Sequence, residues 1–236
     1  MRLEKSVDPD IYYLGFNMLD QVVGAAAGER GRRLRQAMSL VIDTEEYKRI
    51  FLNRRGIAAQ SPIPPGILGY DPDYRNPFRI VDLDKARRLL NEAGYPGGID
   101  PDTGKPLRLT FDSYQTTAQG LLQNQYFVNA WREIGLDVKI EATSYNQFQQ
   151  KVRNGAYQIF SWGWVADYPD PENFLFLLIS EMARSKSGGP NTANFSNARF
   201  DRLFEKMKVR ENDAERLAMI REMLAILEAE RPWIEL

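Results

Sequence analysis

Three carboxylates stand close together in this chain. Asp167, Asp170 and Glu172 fall within FSWGWVADYPDPENFLFLL, residues 160–178, between two tryptophans and an apolar run. Acids at this spacing could form the acid/base pair of a glycoside hydrolase, hold a cationic ligand, or cap a helix. Asp170 precedes Pro171, which is a helix start with a mechanism. The acid accepts the first N–H groups, and proline has no N–H to lose. Glu172 then falls in the first turn, where the helix dipole favours an anion. Asp167 lies outside that helix, just past a predicted strand, where ligand crevices in α/β sheets open. Phe160, Trp162 and Trp164 alternate onto one strand face and would form an apolar wall beside it. A wall plus one fixed charge suits a small-molecule site. An Asx-turn before Tyr168-Pro169 accounts for Asp167 equally well, and both readings stand open at this point.

Composition narrows the chemistry. The 236 residues contain no Cys and no His. That excludes a Ser-His triad, an imidazole metal site, a thiolate nucleophile and a zinc knuckle. Neither cofactor nor metal is expected. Lys+Arg is 31 against Asp+Glu 32, a net charge of −1, so nothing favours nucleic acid or an anionic membrane as partner. The arginine cluster at 30–35 reads as a solvated helix face. Hydrophobic content of 43% and aromatic content of 11% suit a globular domain with a sizeable core. No signal-peptide pattern follows the opening MRLEKSVDPD, and no apolar run reaches the ~20 residues of a membrane span.

The elements that must position the acids alternate. IYYLGFN (11–17) reads as a strand. Leu34, Ala37, Met38 and Val41 mark a helix. Asp43 with Glu46 suggests a capping box opening a helix over 44–53. Residues 60–78, dense in Pro and Gly, form a long irregular connection whose length hints at function. A helix follows Asp82 and stops at Gly94-Tyr95-Pro96. Leu107, Leu109 and Phe111 predict a strand with one buried face. A helix over 117–134 shows Leu121, Val128 and Trp131 on its face, interrupted by Asn124 and Gln125. Leu136, Val138 and Ile140 predict another strand, and 145–153 a short helix. YQIFSWGW (157–164) reads as an interior strand buried on both faces. Two helices close the chain; the last is capped by Asp213 and lined by Leu217, Ile220, Leu224 and Leu227. RPWIEL ends it. Strands separated by helices predict an α/β fold, a layered mixed sheet with flanking helices.

Six strings occur in one order: YLGFN, LRQAMSLVIDTEEY, PIPPGILGY, DKARRLLNEAGYP, GWVADYPDPENFL and NFSNARFDRLFEKM. In this the chain resembles the C-terminal lobe of the dipeptide/oligopeptide/nickel class of extracellular solute-binding proteins, which serve ABC importers. The resemblance runs along almost the whole chain. It implies the second lobe of a type II periplasmic binding protein, so that residues 1–236 form a single lobe. Segments 1–17 and 231–236 would be remnants of the hinge crossings to a missing N-terminal lobe. It implies that Asp167 pairs with the α-ammonium of a peptide, while Trp164 and Val165 border the ligand, partly through backbone hydrogen bonds. Trp162 joins the site through the aromatic wall. Ser161 stands where some peptide binders carry a basic residue, so no grip on the ligand carboxylate is implied there. The expected ligand is a peptide, with an oligosaccharide or a glycosidase activity as alternatives. The expected partners are permease subunits, the chain acting as a monomer in the periplasm or anchored outside the cell.

Overall fold

The structure, a computed structural model, describes residues 7–236; residues 1–6 of the proposed first hinge crossing lie outside that range. Seven strands and nine α-helices are found among the described residues. Five strands build the main sheet: β1 (Asp10–Phe16), β4 (Arg108–Ser113), β5 (Asp137–Ala142), β6 (Ile159–Val165) and β7 (Trp233–Glu235), in the order β5-β4-β6-β1-β7. β4 runs parallel to β5 and β6, whereas β1 is antiparallel to β6 and β7. The sheet is therefore mixed. The turn expected over 100–107 is a small hairpin of β2 (Ile99–Asp100) and β3 (Lys105–Pro106).

The helices form where local chemistry predicts. α1 (Gly28–Ser39) carries Leu34, Ala37 and Met38 inward, and Val41 lies beyond its end. Asp43 caps α2 (Thr44–Phe51), its Oδ1 accepting the Glu46 N–H at 2.9 Å. The reciprocal half of the expected capping box is absent, because the Glu46 carboxylate pairs with Arg49 instead. Asp82 caps α3 (Leu83–Glu92), and Gly94 takes the left-handed conformation (φ 79°) that ends it. α4 (Ala118–Arg132) starts at Thr117, and α5 (Tyr145–Arg153) starts with a full capping box at Ser144 and Gln147. Successive residues of β4 face opposite ways. Phe111 meets Phe127 and Trp131 of α4 edge to face, while Asp112 pairs with Lys151 of α5. Helices thus cover both faces, as the fold class requires.

Three expectations need correction. Leu121 of α4 is 41% exposed and its place inside is taken by Asn124, at 2%. The helix expected after Pro171 is only α6 (Glu172–Leu175), continued by a 3-10 turn over Phe176–Leu178. Phe174, Leu175, Leu177 and Leu178 are buried and Phe176 is half-buried. After the short α7 (Arg184–Ser187), α8 (Ala198–Met207) pairs with α9 (Ala214–Glu230). The buried face of α9 is Arg216, Ile220, Met223 and Leu227, with Leu217 and Leu224 only half-buried.

Candidate ligand-binding site

β6 delivers the acids, but it is not an interior strand along its length. Its ladder to β4 covers only Ile159 and Phe160, opposite Phe111 and Asp112. On the β1 side it is paired from Ile159 to Val165. The reading of burial on both faces therefore holds for Ile159 and Phe160 and fails beyond them. β4 ends too early to cover Ser161–Val165, and Val165 is 63% exposed. Among the described residues, one edge of this half-strand has no neighbouring strand.

The three aromatic residues of β6 have different surroundings. Phe160 is fully buried, edge-on to Tyr13 and Tyr157. Trp162 is half-buried, tilted against Phe148 at 5.2 Å and beside Tyr114 and Tyr145. Trp164 meets Phe176 edge to face at 5.3 Å. Its indole N–H is held by Asn173 Oδ1 at 2.7 Å, and the same oxygen accepts the Asp167 backbone N–H at 3.3 Å. Asn173 is 2% exposed. One buried amide oxygen therefore sets both the tryptophan and the start of the acidic loop. The Ala166 N–H bonds the Pro9 carbonyl at 2.9 Å, which ties the loop to the segment before β1.

The acids separate by role. Asp170 accepts the Glu172 N–H through Oδ1 at 2.8 Å, from one residue before Pro171, which takes the N-cap position of α6. It also forms a bidentate pair with the buried Arg216 guanidinium, at 2.7 and 2.9 Å. Sequence reasoning missed that partner, which lies 46 residues away. Glu172 accepts the Tyr168 hydroxyl at 2.6 Å. The Asp167 side chain is exposed, and among the described residues it has neither an ion pair nor the hydrogen bond of an Asx-turn. So the structure brings Trp164, Val165 and Asp167 together at the end of β6, with Trp162 one turn of the pleat below.

Beside this edge lies a cavity of about 770 Å³. Ser161 and Trp162 line it, as do Asp10–Tyr13 of β1, Asn124 and Phe127 of α4, and much of the segment 55–75. The long Pro- and Gly-rich connection is thus its outer wall. Val165, Trp164 and Asp167 lie outside the lining, although Val165 pairs with Asp10, which is inside it. Burial, followed by the charge of Asp8, raises the Asp10 carboxyl above its ordinary range. Among the described residues no three His, Cys, Asp or Glu side chains are grouped to hold a metal ion, and no helix is long and apolar enough to cross a membrane.

The layer is mixed α/β, with an unpaired strand edge, an exposed acid just past its end and a cavity beside it. The chain belongs to the bacterial extracellular solute-binding proteins, family 5, whose middle region matches residues 2–185. It is 28% identical over 210 residues to di/tripeptide-binding protein 2 of Pseudomonas aeruginosa, covering 86% of this chain and 37% of that protein. It is 27% identical over 205 residues to heme-binding protein A of Haemophilus influenzae, covering 86% of this chain and 35% of the relative. The chain therefore spans about a third of the length of these relatives, which are named as binding proteins and not as enzymes. Among solved structures, the periplasmic binding protein DppA of Helicobacter pylori, in complex with the peptide STSA, superposes with a TM-score of 0.82 at 26% identity. The match covers 99% of this chain and 42% of that one. The fold is that of one lobe of a type II periplasmic binding protein.

Proposed function

We propose that this chain is the lobe of an ABC-importer receptor that binds peptides outside the cytoplasm. The carrying observation is the unpartnered edge of β6 over Ser161–Val165, ending at the exposed Asp167. An extended peptide laid along that edge would form main-chain hydrogen bonds that do not depend on its sequence. Its α-ammonium would sit at Asp167, with Trp164 and Val165 bordering the first residues. The peptide-binding names of several relatives support this reading.

In this reading the chain is one half of a two-lobed clamp, closed by a hinge, that presents its cargo to permease subunits at the outer face of the membrane. β1 and β7 are hydrogen-bonded neighbours, and the Leu236 N–H bonds the Tyr12 carbonyl at 2.9 Å. Two hinge crossings side by side at the cleft would be consistent with this. An oligosaccharide cargo would want open aromatic faces, and the packing of Trp162 and Trp164 gives that alternative less support.

Calorimetry on the protein in its full natural length tests the role of Asp167. Asp167→Ala should weaken peptides with a free amino terminus by ~2–5 kcal/mol and leave N-acetylated peptides nearly unchanged. Equal losses for both would remove the ammonium role.

A further inference from the structure

The chain contains one Asn-Gly pair, Asn154-Gly155. In such a pair the side-chain amide carbon of the asparagine can be attacked by the backbone nitrogen of the next residue, and glycine has no side chain to block the approach. Where the pair sits in the fold decides whether that happens. Asn17, Asn76, Asn124, Asn173, Asn191 and Asn194 are all buried. Asn154 is the C-cap of α5 and lies in the exposed run 153–156. Among the described residues its side chain makes no hydrogen bond, so no partner holds the amide away from the backbone. The Gly155 N–H bonds the Val152 carbonyl at 3.2 Å, the long end of the usual range. Helix ends fray, so that bond opens without disturbing the core. The Asn154 peptide, at ψ −2°, must rotate to bring the nitrogen onto the amide carbon. Gly155 leaves room for this, because a Cβ placed there would meet nothing within 4 Å.

We propose that Asn154 is a site of spontaneous self-modification, yielding isoaspartate and aspartate, and that the isoaspartate form loosens the junction between α5 and β6. The Gly155 nitrogen bonds to Asn154 Cγ and closes a cyclic imide. The Cγ–NH2 bond breaks, and ammonia leaves with the Gly155 amide proton. Water then adds to one imide carbonyl and breaks its bond to nitrogen. Opening at Cγ gives aspartate on a normal backbone. Opening at the main-chain carbonyl gives isoaspartate, with the backbone now running through Cβ. One water is consumed and one ammonia released, with no oxidant or enzyme required. Both products place a carboxylate at the C-terminus of α5, where the helix dipole disfavours an anion. Lys151, one turn back, is already paired with Asp112. Isoaspartate also adds a carbon to the main chain just before β6. Asn17 Nδ2 spans this junction, donating to the Gly155 and Tyr157 carbonyls at 3.3 and 3.0 Å. The longer backbone shifts one of those carbonyls relative to the other.

Peptide mapping by mass spectrometry tests the chemistry, on the protein in its full natural length incubated at neutral and at mildly alkaline pH. Asn154 should convert before any other asparagine, and faster at the higher pH, because hydroxide removes the Gly155 proton. An intact Asn154 under conditions that convert the free peptide KVRNGAYQ would overturn the site. Hydrogen exchange tests the consequence. Amides of residues 155–160 should exchange at least about threefold faster in the isoaspartate form than before incubation. Asn154→Gln, incubated alongside, should show no change. Fresh Asn154→Asp carries the charge without the extra carbon and should fall between the two. Exchange in the isoaspartate form equal to that of Asn154→Gln would refute the loosened junction.

Discussion

At the residue scale, Asn173 does more than its place in an apolar run suggests. Its single side-chain oxygen holds both the Trp164 indole and the Asp167 backbone N–H. Replacing it by alanine leaves a partly buried indole N–H without its partner, which costs about 1 kcal/mol. Asn173→Ala should therefore lower the denaturation midpoint and also weaken ligand binding, although the side chain is not proposed to touch ligand. Unchanged affinity at reduced stability would show that the loop keeps its geometry without the amide. Asp170 is a sharper case. As a cap alone, its loss would cost ~0.5–2 kcal/mol. Its bidentate hold on Arg216, which is 4% exposed, raises the expectation for Asp170→Ala to about 3 kcal/mol, because a buried guanidinium is left without its carboxylate. The double variant Asp170→Leu with Arg216→Met should recover most of that loss in urea denaturation. No recovery would mean that the capping bond carries the effect.

At the scale of elements, β1 and β6 form the frame on which the site is hung. Gly15 lies opposite Phe160, and a Cβ added at Gly15 would come within 2.2 Å of the Phe160 ring. Phe160 is fully buried and has no room to yield. Gly15→Ala should therefore destabilise by about 1–3 kcal/mol through overpacking. Gly163 offers the contrast. There the clash is with the ring of Tyr12, which is 55% exposed and free to swing away. Chemical denaturation of the two variants side by side checks the ordering, and a Gly163→Ala variant as damaged as Gly15→Ala would refute it. The same pairing exposes the edge of β6. β4 ends at Ser113, level with the middle of β6, and the chain then leaves the sheet to start α4 at Thr117.

At the scale of the whole molecule, stability should depend on pH through Asp112. This carboxyl is 1% exposed; its Oδ1 meets Lys151 and its Oδ2 has no partner. Burial raises its pKa above the ordinary 3.8, against the opposing pull of Lys151 and with a smaller push from Glu141. A raised acid binds its proton more tightly in the folded state than in the unfolded one. Its contribution is therefore fully present below the unfolded value and is lost as pH rises through the folded value. Relative to Asp112→Asn, the wild type should gain stability as pH falls from neutrality toward about 4. A difference between the two proteins that is flat with pH would contradict this. Affinity also belongs to this scale. If the cleft is shared between two lobes, the 236-residue chain alone should bind peptides far more weakly than the protein in its full natural length, and equal affinities by calorimetry would exclude a shared cleft.

Sequence alone determined the elements and their class. Caps at Asp43, Asp82 and Asp213, the stop at Gly94, and the alternation of Leu109 and Phe111 are local signals, because they depend on hydrogen bonds and periodicities spanning a few residues. The distinction between Asp170 and Glu172 as helix-start acids and Asp167 as the acid outside the helix was legible for the same reason. What only tertiary structure decided depends on partners far apart in the chain. Arg216 reaches Asp170 across 46 residues, and β4 covers only part of β6. Asn124 disturbed the apolar pattern of its helix visibly, yet its burial in place of Leu121 followed only from how α4 packs. Burial and an open strand edge are properties of packing, and packing is set by contacts that no short window of sequence contains.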